Sequence, residues 1–188
     1  GFSILDSTKL LFIFSIILSG LAMFFLGRRF WGNTGGLISA IFYVYAPYRA
    51  VDIWVRGALN ESFSFIFFPL IILLLELYQE RRNNKYLLWI SLMVAGLITT
   101  HNLSVVMFVP FVLIWWIFRS IQLKSFKSLS GLTAAAILAL LLSAYYLLPL
   151  ALENKYITIS QTIQGYYDFR AHFVSLNQLF ISNFWGYG

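Results

Sequence analysis

Residues 8–27 read TKLLFIFSIILSGLAMFFLG. Lys9 is the only charge in these 20 residues, and it stands at the start. A helix of about 20 apolar residues is what a hydrocarbon core of about 30 Å requires. Arg28 and Arg29 follow directly, where a cleavable leader would show small residues. The stretch therefore reads as a membrane-crossing helix that stays in the protein.

The same pattern recurs along the chain. Apolar segments lie near 31–47, 62–78, 86–100, 103–118 and 129–149, six crossings with the first. The fold class this predicts is all-α: a polytopic transmembrane helix bundle over residues 1–150. Pro69 and Pro110 fall inside two of the segments and read as kinks, which membrane helices tolerate. Segments 31–47 and 86–100 are short for a full crossing; such helices suit a protein-lined, wet cavity. Composition agrees: 60% of the 188 residues are apolar and 11% charged, whereas a soluble domain has about 25% charged residues. There is no cysteine, which excludes disulfides and thiolate sites. His101 and His172 are the only histidines, too few for a three-histidine zinc site.

Threading the bilayer sorts the charges. One set of connections carries Arg28, Arg29, Arg81, Arg82, Lys85, Arg119, Lys124 and Lys127, with only Glu76 and Glu80 as acids. The other carries Lys9, Arg49, Arg56, Lys155 and Arg170, balanced by Asp6, Asp52, Glu61, Glu153 and Asp168. All of the net charge of +6 sits on the first face. The positive-inside rule assigns that face to the cytoplasm, with residues 48–61 and 151–188 outside. The basic clusters then read as short topology signals, so nucleic acid is not an expected partner; membrane lipids are. No feature of the sequence sets an oligomeric state.

The outer connections hold the candidate chemistry. After Pro47, Arg49, Asp52 and Arg56 fall at i, i+3 and i+7, one face of a helix. This row reads equally as a self-neutralising network and as an anion site with two guanidinium forks for phosphate. Asn60 or Ser62 is expected to cap the following helix, and Glu61 suits its positive end. Glu61 reads alternatively as a metal ligand or catalytic carboxylate. Asn102 is expected to cap the fifth helix, with His101 at the tip of a tight hairpin as either a structural residue or a proton-transfer or phosphate-contacting group. Beyond Pro149 the chain turns mixed polar and aromatic. Phe173, Leu176, Phe180 and Phe184 form a helical stripe that predicts an interfacial helix, or a loop helix packed on the bundle.

Several strings carry a family resemblance. Ala46-Pro47-Tyr48-Arg49, Val51-Asp52, Val55-Arg56-Gly57-Ala58-Leu59 and Glu61 are followed by His101-Asn102. Then come Leu142-Ser143-Ala144-Tyr145-Tyr146-Leu147-Leu148-Pro149 with Glu153, and the closing Phe184-Trp185-Gly186-Tyr187-Gly188. Together they resemble the 6-pyruvoyl-tetrahydropterin synthase-related membrane proteins, a prokaryotic polytopic family; Ala46 stands where that pattern expects serine. The soluble synthase of that name, a zinc enzyme, is similar to nothing here. The membrane family in turn resembles the GT-C glycosyltransferases, which use polyprenyl-phosphate sugar donors on the outer face of the membrane.

That resemblance implies a multi-pass protein of a prokaryotic cell membrane, with Asp52, Glu61 and His101 as catalytic candidates. Arg49, Arg56, Tyr48 and Asn102 are its substrate-phosphate candidates. It implies a divalent cation, Mg or Mn, held by a first outer loop; this chain reads as a fragment that starts after that loop. A lipid or polysaccharide flippase and a non-catalytic assembly subunit are the alternatives.

Overall fold

The computed structural model describes residues 1, 3–156 and 168. The expected interfacial helix around Phe173–Phe184 lies outside the described residues. The chain divides into a unit of Gly1–Leu147 and a second unit from Leu148 onward. The described regular structure is helical throughout: α1 (Ile4–Val44), α2 (Pro47–Ala50) running into a π-helical turn (Val51–Val55), α3 (Leu59–Arg81), α4 (Lys85–Thr100), α5 (Asn102–Gln122), α6 (Leu129–Leu142) and α7 (Ala144–Glu153). A 3-10 turn, Asn154–Tyr156, follows α7 in the second unit. The architecture is the all-α polytopic bundle that the hydropathy pattern predicts. Among the described residues, α1, α3 and α5 are long and apolar enough to cross a membrane, and α6 with α7 makes a fourth if that bent pair is one span.

Helix α1 is a hairpin. A straight helix would hold Gly20 and Val44 about 36 Å apart, yet a Cβ built on Gly20 would lie 3.0 Å from Val44 Cγ2. The reversal sits at Trp31 (φ −129°, ψ 15°) and Gly32 (φ 70°, ψ −170°). The positive φ at position 32 is one that only glycine adopts without strain. The break divides α1 into two arms, Ile4 up to Trp31 and Gly32 to Val44, where the sequence suggests segments 8–27 and 31–47. They meet through small residues: a Cβ on Gly36 would come within 2.7 Å of Phe24 O, and one on Gly27 within 3.1 Å of Gly36 Cα. Close backbone approach over glycine is how helices associate in lipid, where no hydrophobic drive exists between them.

Helix α3 is the hub, packing against α1, α4 and α5, while α4 also packs on α6. Buried Ile71, Leu75 and Tyr78 line its inner face. Serines join the helices. Ser15 Oγ lies 2.7 Å from Ser62 Oγ between α1 and α3, and Ser91 Oγ donates to Ala135 O at 3.0 Å between α4 and α6. Phe14, Ile17, Phe111 and Ile114 point outward, the apolar exterior that lipid requires.

Three local expectations change. Ala58, not Asn60 or Ser62, precedes α3 and gives no side-chain cap; Ser62 is instead committed to Ser15. Asn102 is the first residue of α5 rather than its cap. The sixth segment breaks at Ser143, not at Pro149, and Pro149 lies inside α7. Pro149, the sixth residue of α7, forfeits one helical hydrogen bond without ending the helix, whereas Ser143 turns its hydroxyl back onto Ala139 O at 2.9 Å.

The basic end is more than a topology signal. Glu76 is fully buried and accepts both arms of Arg119, Nε at 2.8 Å and Nη2. Arg29 pairs with Glu80, and Arg119 Nη2 lies 3.7 Å from the same carboxylate. These pairs tie α1, α3 and α5 together at one end of the bundle. Replacing Gly36 with alanine should force the α1 arms apart and lower stability by about 1–3 kcal/mol, the usual overpacking cost. Detergent-unfolding titration of the purified protein reads this; an unshifted midpoint would mean that the arms do not meet at Gly36.

Candidate functional site at the acid-rich end

Helix α3 rises about 33 Å from Leu59 to Arg81, so the segment Tyr48–Glu61 lies at the opposite end from the Arg119–Glu76 pair. Pro47 opens α2 at a position where its missing N–H costs nothing. The chain then widens into the π turn, with Arg56 N donating to Val51 O at 2.9 Å. Gly57 (φ 61°) reverses it into α3.

The π turn corrects the expected i, i+3, i+7 row. A wider turn rotates later residues out of the α-helical phase. Arg49 and Asp52 are 1% and 0% exposed, but the Arg56 side chain is 37% exposed. Instead of extending the row, Arg56 folds back across the segment. Its Nη1 donates to Tyr48 Oη at 2.9 Å and lies 2.9 Å from Glu61 Oε2 and 3.5 Å from Asp52 Oδ1. Tyr48 Oη donates to Glu61 Oε1. Four predicted residues, Tyr48, Asp52, Arg56 and Glu61, thus form one cluster.

Burial, together with two carboxyl groups gathered around the Arg56 guanidinium, sets the electrostatics, with Arg49 a weaker influence on Asp52. Burial first, then the neighbouring charge of Glu61, push the Asp52 carboxyl up to about 6, against the pull of Arg56. Burial and the Glu61 carboxylate likewise raise the Tyr48 phenol to about 12. For Arg56, burial works against its charge, but Glu61, Tyr48 and Asp52 outweigh it and the guanidinium is held more firmly protonated.

Arg49 is set apart from this cluster. Its Nε, Nη1 and Nη2 are buried and make no hydrogen bond to a described residue. Its Cζ sits 4.5 Å from the centroid of the Phe65 ring. Burial pulls the guanidinium below its ordinary range, opposed by Tyr43 and Asp52.

A cavity of about 240 Å3 opens beside the cluster, lined by Tyr48, Glu61, Phe65, Phe68, Ser104 and Phe108 among others. His101 reaches it indirectly: its Nδ1 lies 2.7 Å from Ser104 Oγ. Asn102 is exposed and takes no part in the lining. Sequence reasoning missed Phe65, Phe68, Ser104 and Phe108. The signal was present as spacing, because Glu61, Phe65 and Phe68 follow at 4 and 3 on α3, and Ser104 and Phe108 at 4 on α5. Among the described residues no three His, Asp or Glu side chains gather around one point. The divalent ion implied by the resemblance therefore has no cage built from these residues.

Fold and site together define a polytopic, helical integral membrane protein with a charged cluster gathered at one end of its bundle. The chain belongs to the 6-pyruvoyl-tetrahydropterin synthase-related domain family of membrane proteins, whose model matches residues 3–184. Neither a curated protein nor a solved structure matches it.

The raised Asp52 carboxyl has a consequence for stability. The folded state binds this proton more tightly than the unfolded chain, whose aspartate titrates near 4. Its contribution is therefore complete below about pH 4 and is lost as pH rises through about 6. Asp52→Asn should flatten that interval of the stability–pH profile. An unchanged slope between pH 4 and 6 would show that Asp52 is not the titrating group.

Proposed function

We propose that this chain is the core of a GT-C-like glycosyltransferase, acting on polyprenyl-phosphate-linked sugars at the outer face of a cell membrane. One observation carries the reading: Tyr48 and Glu61 line an aromatic-walled cavity, and Arg56 links both of them to the buried carboxyl of Asp52 behind. Asp52, pushed up to about 6, is suited to general-base work near neutral pH. Glu61 lines the cavity directly and is the second candidate.

The step is inverting transfer. Asp52 or Glu61 takes the proton of an acceptor hydroxyl as its oxygen attacks the anomeric carbon. The bond from that carbon to the phosphate oxygen breaks, and the polyprenyl phosphate leaves with the electron pair. Arg56, with nitrogens beyond its occupied Nη1, and Arg49 behind Phe65 are placed to meet the negative charge that develops on the phosphate. Tyr48 holds Glu61 and Arg56 in register. His101 acts on the cavity through Ser104, and Asn102 has no role in this arrangement. With the basic end in the cytoplasm, as the positive-inside rule assigns, the cluster faces outward.

The break at Ser143 supports a second reading, a lipid-linked saccharide flippase, since transporters use interrupted helices around their binding sites. A non-catalytic assembly subunit is the third. Transfer from a polyprenyl-phosphate sugar to acceptor separates them. Asp52→Asn and Arg56→Ala in the full-length protein should each cut the rate by about 10²–10⁴, the usual span for a general base or an oxyanion-stabilising group. Wild-type rates in both variants would remove the site.

A further inference from the structure

A guanidinium that is 1% exposed and lacks a hydrogen bond to any described residue is a rare and costly arrangement. Buried polar groups are nearly always paired, and leaving a charged one unpaired carries a large desolvation penalty. The face of the Phe65 ring covers Arg49 4.5 Å away, and the Asp52 carboxyl is near enough to favour its charge. Phe65 is also a wall of the cavity that Tyr48, Glu61 and Ser104 line. One aromatic ring therefore separates five guanidinium N–H donors from a cavity with a polar mouth.

We infer that Arg49 is a latent oxyanion site and that the Phe65 ring is its gate, yielding when a phosphate group enters the cavity. The backbone at Phe65 is fixed: Tyr43 Oη donates to Phe65 O at 2.8 Å. Opening is consequently a side-chain rotation and not a shift of α3. The ring packs edge-on against Tyr43 and Phe68, with centroids 5.8 and 5.5 Å away, so its alternative position is still among aromatic neighbours. Cation–π stacking conserves the charge of Arg49 while the cavity is free of anion. A phosphate oxyanion offers the guanidinium fork a stronger, charge-assisted partner. The gate thus gives selectivity as well as access, because a neutral saccharide or a hydroxyl has little with which to displace the ring. The ligand class is a phosphate monoester or diester, whether free or carried on a lipid.

The inference rests on the phosphate-lipid reading above, but its test reports on Arg49 alone. The full-length protein in nanodiscs is treated with phenylglyoxal, which modifies accessible guanidinium groups, and labelling of Arg49 is followed by peptide mass spectrometry. Exposed Arg28 is the internal reference. Phe65→Ala should raise the relative labelling rate of Arg49 about tenfold, the scale of a desolvated cation–π contact. Phe65→Leu, which keeps an apolar side chain but no ring, should raise it in the same direction and decides the matter if the alanine variant does not fold. Added phosphate should then slow labelling in the variants. Protection by decyl phosphate alone identifies a lipid-borne source, and protection also by inorganic phosphate shows that the head group suffices. Labelling that stays at the wild-type rate in the folded variant overturns the gate. Faster labelling that neither phosphate slows overturns the anion site. Neither result depends on whether sugar transfer is detected.

Discussion

The guanidinium of Arg49 and the carboxyl of Asp52 are buried within four residues of each other, where α1 gives way to α3, without a hydrogen bond to a described residue. Charge is expensive in such a place unless it is paired, hydrated or stacked, and the local fold follows from handling it. The π turn rotates Arg56 out of phase so that it can fold back on Asp52 and Glu61. Phe65 covers Arg49 from α3. Tyr48 closes the cluster by donating to Glu61 and accepting from Arg56. Burial first, and then the nearby Glu61 charge, hold the proton on Asp52 more tightly than usual, against the pull of Arg56 and Arg49.

The other end of the bundle handles its charges differently. Glu76 is as buried as Asp52, but Arg119 meets it with two parallel hydrogen bonds, and Arg29 and Arg119 share Glu80. That is the geometry that repays desolvation. It joins three helices and leaves little undone for a ligand to complete. The contrast between a buried carboxylate paired with two hydrogen bonds at one end and a buried guanidinium and carboxyl without one at the other is the physical ground for proposing function at Tyr48–Glu61.

Much of this was legible before any coordinates. Apolar length gave the helices, because lipid admits little else, and even the reversal at Gly32 showed as Arg28-Arg29 between two apolar runs. Segregation of charge pointed to Arg49–Glu61. The rest was hidden for identifiable reasons. A π turn has no strong sequence signature, so the phase of Arg56 relative to Arg49 was misread. Capping by Asn60, Ser62 or Asn102 assumes a helix end in water, whereas Ser62 is used between helices. Phe65 is one more aromatic in an apolar run, and only its stacking on Arg49 distinguishes it. The Glu76–Arg119 pair spans 43 residues, a pairing that periodicity within single helices does not reveal.

We propose that the cluster at Tyr48–Glu61 acts on substrate and is not simply a staple that neutralises itself. Exchanging one ion pair separates these roles. In Arg56→Glu with Glu61→Arg, each charge is exchanged but the pair is kept. Stability and polyprenyl-phosphate sugar transfer are measured on the double variant and on both single variants. The double variant should regain most of the stability lost by the single variants, yet transfer no sugar. Full recovery of both stability and transfer would contradict it, and would mean that these side chains need only cancel one another.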